Sequence, residues 1–199
     1  MFNWKRAARI AWAVTAASLL LACAGCAGAA AWLSDATQIV PLAASMIASI
    51  LTLVAALQGK SVSASDLTAV STFATDIENG LDDLETMIDQ YKATPTANLE
   101  QEILNAANVV VSNIQNFLTN TQLANAALAQ KVTAIATLVQ TELKAWIEVI
   151  PALSATAGEK VTFTVPYSAK ALRQAFDAIL AQPTGDPDVD AAATKVKKL

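Results

Sequence analysis

"LTAVSTFATDIENGLDDLETMIDQY", Leu67 to Tyr91, decides the fold. Its apolar residues Leu67, Val70, Ala74, Ile77, Leu81, Leu84, Ile88 and Tyr91 recur in alternating steps of three and four. An α-helix turns once per ~3.6 residues, so this spacing gathers them into one long seam. Asp76, Glu78, Asp82, Asp83, Glu85 and Asp89 fall off the seam and predict a solvated acidic face. Ser63 and Asp66 just upstream predict the helix start, with a capping hydroxyl and an acid near the positive end. The acids lack the Asp-x-Asp-x-Asp-Gly loop that would cage calcium.

The same period continues on both sides. Thr96 predicts the cap of a second seam through Leu99, Ile103, Ala107, Val110, Ile114 and Phe117. "TNTQ", Thr119 to Gln122, marks a break or kink. A further stripe runs through Leu128, Val132, Ile135 and Val139, then Leu143 or Glu142, and on to Trp146 and Ile150, with Pro151 as the expected stop. Upstream, Ala36 to Gly59 carries no charge. Ile39, Met46, Ile50, Leu53 and Leu57 share one side of it, while Gln38, Ser45, Ser49, Thr52 and Ala56 share another. That grading predicts a core helix, and the uninterrupted apolar length keeps membrane insertion as the alternative.

Short links favour antiparallel neighbours, so the expected fold class is all-α. It comprises an antiparallel bundle of about four long helices plus a short C-terminal helix, preceded by an N-terminal signal or anchor helix. Ser168 caps that short helix, whose stripe is Leu172, Phe176, Ile179 and Leu180. Val161 to Val165 is the one strand-like run, alternating apolar residues with threonine. "QPTGDPDVD" reads as a turn-rich spacer, and Lys195, Lys197 and Lys198 as part of a solvated tail. The expected division is 1–25 signal peptide, 26–182 helical bundle and 183–199 flexible C-terminal tail.

Both cysteines lie near the start, in "SLLLACAGCAG", Ser18 to Gly28. Before them come the basic "MFNWKRAAR" and the uncharged apolar "IAWAVTAASLLLA", the layout of a secretory signal. Leu20-Leu21-Ala22-Cys23 and Ala24-Gly25-Cys26 each resemble the lipobox of bacterial lipoprotein precursors. The resemblance covers residues 1 to about 27. It implies acylation of a cysteine, removal of the signal and anchoring of the new N-terminus. Cys26, preceded by small residues, is the favoured lipidation site; Cys23, with Leu20 three positions back, is the alternative. Four other readings compete: a signal without lipid, an uncleaved membrane anchor, a redox pair, which would need a strand before it and a helix after it, and a metal site, which lacks a second ligand pair.

Composition narrows the function. The 199 residues are 54% hydrophobic and 15% charged, and contain no histidine. The commonest general base and metal ligand are therefore missing. No cysteine follows Cys26, so no metal site or disulfide framework is expected in the bundle. Arginine occurs only at positions 6, 9 and 173, too few for nucleic-acid recognition. From Ala27 onward ten basic side chains face seventeen acidic ones, which disfavours nucleic acid and anionic lipid as direct partners. Ser168 and Lys170 are two apart and make no S-x-x-K pair, and neighbouring carboxylates such as Asp82 and Asp83 diverge on a helix. No catalytic residue and no cofactor are assigned.

The expected protein is a non-enzymatic cell-envelope lipoprotein that acts as a helical scaffold or interaction module. It is held at the membrane of a bacterial cell envelope by its N-terminal lipid, on the outer membrane or periplasmic face if the cell is Gram-negative, and engages an envelope protein partner. The alternatives are a membrane-active protein that inserts residues 40–57, like α-helical pore-formers, and a bundle that binds an apolar ligand in its core.

Overall fold

Each apolar stripe becomes the buried side of a helix. The computed structural model describes residues 32–155 and 168–197. Within them lie six helices and no strand: α1 (Trp32–Leu57), α2 (Ala64–Ala93), α3 (Ala97–Asn120), α4 (Ala126–Ala155), α5 (Ala169–Ala181) and α6 (Pro187–Val196). The leader, the lipobox-like cysteines and the run Val161 to Val165 fall outside the described residues.

The caps follow hydroxyl chemistry. The side chains of Ser63, Thr96 and Ser168 accept from the backbone N–H of Asp66, Leu99 and Ala171, ending free N–H groups that would otherwise cost stability. Asn125 does the same for α4 through Leu128 N–H. The break anticipated at Thr119 to Gln122 is a full loop, since α3 stops at Asn120. Pro151 does not end α4, which continues to Ala155; a proline removes one N–H donor but does not force termination when the rest of the turn holds.

α1 to α4 run up and down. Gly80 of α2 faces Val110 of α3, and Phe73 of α2 stacks on Phe117 of α3, so the two helices pair in antiparallel register. A Cβ on Gly80 would meet Val110 Cγ2 at 2.8 Å, which explains a glycine in mid-helix despite its cost to helix stability. The core takes Val70, Ile77, Leu81, Leu84 and Ile88 from α2 and Ile103, Ala107 and Ile114 from α3. α4 adds Leu128, Val132, Ile135, Val139, Leu143 and Trp146. Ile39, Met46, Ile50, Leu53 and Leu57 of α1 are all buried, while Ser45 is exposed and Ser49 and Thr52 are half-buried. The graded helix therefore packs its apolar side inward.

Part of the segment expected as spacer and tail, Pro187–Val196, is a helix, while residues 182–186 remain the expected spacer. Asp186 caps α6, Pro187 occupies its first turn, and Val189, Ala192, Ala193 and Val196 form a buried stripe. A proline that breaks a helix interior is well suited to starting one, and alanines supply an apolar stripe too faint for a hydropathy reading. Lys195 and Lys197 keep the expected exposure, and Lys198 lies outside the described residues. α6 packs on α5, and α5 on α4, so the shorter pair lines one side of the bundle.

Candidate functional site

The only site residue assigned from sequence, Cys26 with Cys23 as alternative, lies outside the described residues. Within them, three features bear chemistry: an acidic flank with a groove, a satisfied buried lysine, and an unsatisfied buried glutamate.

The flank belongs to α2 and α3. Together these helices carry nine carboxylates against one ammonium, Lys92, which itself pairs with Asp89 at 2.6 Å. The seam turns the apolar side inward and leaves Asp76, Asp82, Asp83, Asp89 and Glu102 exposed. Between the two helices runs an open groove of about 700 Å³, walled by Thr72, Asp76, Asn79, Asn113 and Asn116. Its apolar part is the Phe73–Phe117 stack, ring centroids 3.8 Å apart. Among the described residues Val109 is the one exposed large apolar side chain, so this flank offers charge and amides rather than an apolar patch.

Lys131 of α4 is 1% exposed. Its ammonium donates to the carbonyls of Ile179 (2.6 Å), Leu180 (3.2 Å) and Gln182, closing the C-terminal end of α5 where a cation is favoured. Burial pushes its pKa down and Asp190 pushes it back up. Nearby, the carboxylate of Asp66 accepts from Ala124 and Asn125 N–H at 3.1 and 2.8 Å, and the amide of Asn125 donates to Asp186 at 3.1 Å. Asp66 thus serves the loop before α4 rather than only the start of its own helix. Asn125 holds the carboxyl of Asp186 below its ordinary range, and Thr184 does the same for Asp190.

Glu142, three turns along α4 from Lys131, is fully buried with neither oxygen hydrogen-bonded. Loss of solvent raises its pKa from 4.5 to about 7. One turn on, Trp146 stacks against Trp32 of α1, centroids 5.6 Å apart, and Trp32 meets Tyr91 edge-on at 5.3 Å. Both indole N–H groups are also unpartnered. A near-neutral carboxyl suits proton transfer, but a general acid must reach its substrate and both Glu142 oxygens are sealed from solvent. Sequence reading flagged this position only as the choice between Leu143 and Glu142 on the stripe; the structure buries both. Lys131, Asn125 and Asp186 were not anticipated, and Asp66 only as a helix start, because each finds its partner in a distant loop or helix. No group of three His, Cys, Asp or Glu among the described residues is placed to hold a metal ion.

Comparisons with protein-family models, curated proteins and solved structures find no match for this chain.

Proposed function

We propose that this protein is a non-enzymatic lipoprotein of the bacterial cell envelope, whose bundle is a scaffold that binds another envelope protein. The observation that carries this reading is the leader: a basic start, an apolar run and small residues before Cys26. The split of charge in the bundle supports a protein partner. An acidic α2–α3 flank is repelled by an anionic bilayer and turns toward a basic surface. Changing Cys26 to Ser is expected to remove a metabolic fatty-acid label and move the protein from detergent to aqueous phase. Label that persists until Cys23 is also changed places the lipid on Cys23. Label unaffected by either change defeats the lipoprotein reading.

A second reading has one observation in its favour. α1 is 26 residues long with a mean hydropathy of 2.2 in its most apolar window, enough by length and composition to cross a membrane. The burial of its apolar stripe against the other helices supports the scaffold instead. Ile50→Arg separates the two. A buried, unpaired arginine is expected to unfold the bundle, whereas in an inserting segment it abolishes permeabilisation and leaves the fold intact. Circular dichroism and dye release from vesicles read both outcomes.

A further inference from the structure

On the side away from α2 and α3, helices α1, α5 and α6 enclose a second groove of about 530 Å³, within the size range of small-molecule sites. Arg173, the only arginine after position 9, stands on its α5 wall, and Lys197 stands at the end of α6. Neither makes an ion pair among the described residues. Asp177 lies one turn from Arg173 on the same wall, so the groove carries a net single positive charge. That balance suits a monoanion better than a polyanion.

The α1 wall adds acceptors. Ser49 donates its hydroxyl hydrogen to the carbonyl of Ser45 at 2.8 Å, and Thr52 donates its own to Ala48 at 3.3 Å. With their hydrogens used, these oxygens offer lone pairs to a ligand's O–H or N–H groups, as Asp177 does. The half-buried Leu42 and Phe176 supply an apolar strip along the same groove. The site thus presents two cations for an anion, several acceptors for donors, and an apolar surface for a chain.

We infer that this groove binds the headgroup and first acyl segment of a phospholipid: a monoanionic phosphodiester whose alcohol carries hydroxyl or ammonium donors. Arg173 and Lys197 engage the phosphate, with Arg173 able to grip two oxygens at once. Ser49, Thr52 and Asp177 receive the donors, and Leu42 with Phe176 covers the chain. The inference does not depend on the lipid anchor, since it concerns a non-covalent ligand held by other residues; the net acidity that disfavours an anionic bilayer is concentrated on α2 and α3, whereas this groove is locally cationic.

The test uses the full-length protein, labelled with ¹⁵N-arginine, in maltoside micelles. Dihexanoyl phosphatidylglycerol is titrated by calorimetry while the Arg173 Nε–H resonance is followed. Saturable one-to-one binding with a shift of that resonance is expected. Binding is expected to be at least tenfold weaker for the phosphatidylcholine of equal chain length, which has no O–H or N–H donor. Arg173→Gln, at an exposed position, is expected to weaken binding tenfold with an unchanged melt. Ala48→Trp, which fills the groove, is expected to abolish it. Equal binding of both lipids, or binding indifferent to Arg173→Gln in a folded protein, overturns the proposal. Glycerophosphoglycerol without chains binding as tightly as the lipid overturns the lipid assignment in favour of a water-soluble phosphodiester.

Discussion

Helix α4 buries two charge-bearing side chains, Lys131 near its start and Glu142 near its middle, in opposite ways. Near its start Lys131 is sealed in, yet every contact of its ammonium is a carbonyl oxygen of α5 or the residue after it. Near its middle, one turn before Trp146, Glu142 is sealed in with no partner for either oxygen. Burial is equal and satisfaction is not. The lysine therefore fastens α5 to the bundle, whereas the glutamate can stay in place cheaply only when neutral. Three loops converge on the lysine end through Asp66, Asn125 and Asp186, and Ser61 adds a 3.2 Å bond to Asp188. One turn beyond the glutamate, the helices are held by packing of Trp32, Tyr91 and Trp146.

The contrast makes stability respond to pH from both sides. Glu142 has a folded pKa above its unfolded one, so its contribution is full below pH 4.5 and is lost as pH rises toward 7. That loss amounts to roughly 3 kcal/mol. Asp186 and Asp190 are held low, so their contribution is present above pH 3.8 and fades as pH falls through their folded values. The largest expected effect is accordingly that of Glu142→Gln. It should raise the unfolding free energy at pH 8 by roughly 3 kcal/mol and leave it nearly unchanged at pH 4, by urea titration at both. A Glu142→Gln protein with the wild-type pH slope would break the contrast, because the glutamate would then be solvated or paired.

Near the start of α4, Lys131→Met keeps the apolar stem and removes the ammonium. The carbonyls of Ile179, Leu180 and Gln182 lose their shared donor, and a cost of roughly 2 kcal/mol is expected in the same titration. Hydrogen exchange should rise first in α5, sharpening the view that this end is fastened by one side chain. Smallest of all, Asp82→Asn on the exposed face of α2 should change stability by no more than about 0.5 kcal/mol. An effect as large as that of Lys131→Met would mean that the acidic flank is structural rather than free to meet a partner.

The sequence by itself determined the helices and their inward sides. The seams of α2 and α3, the stripe of α4 and the graded face of α1 are local periodicities, and Ser63, Thr96 and Ser168 cap within three residues of their own position. Such features need only neighbours in the chain. Tertiary structure alone decided what became of the isolated polar residues. Lys131 meets carbonyls some fifty positions away, Asp66 reaches the loop before α4 from nearly sixty, and Glu142 meets no partner at all. α6 belongs to the same class: its alanine-rich stripe is too weakly apolar to stand out, and it earns burial only because α5 offers a surface. Long-range pairing leaves no periodic trace in a sequence, since a lysine bound to carbonyls and a lysine in water are spelled the same way.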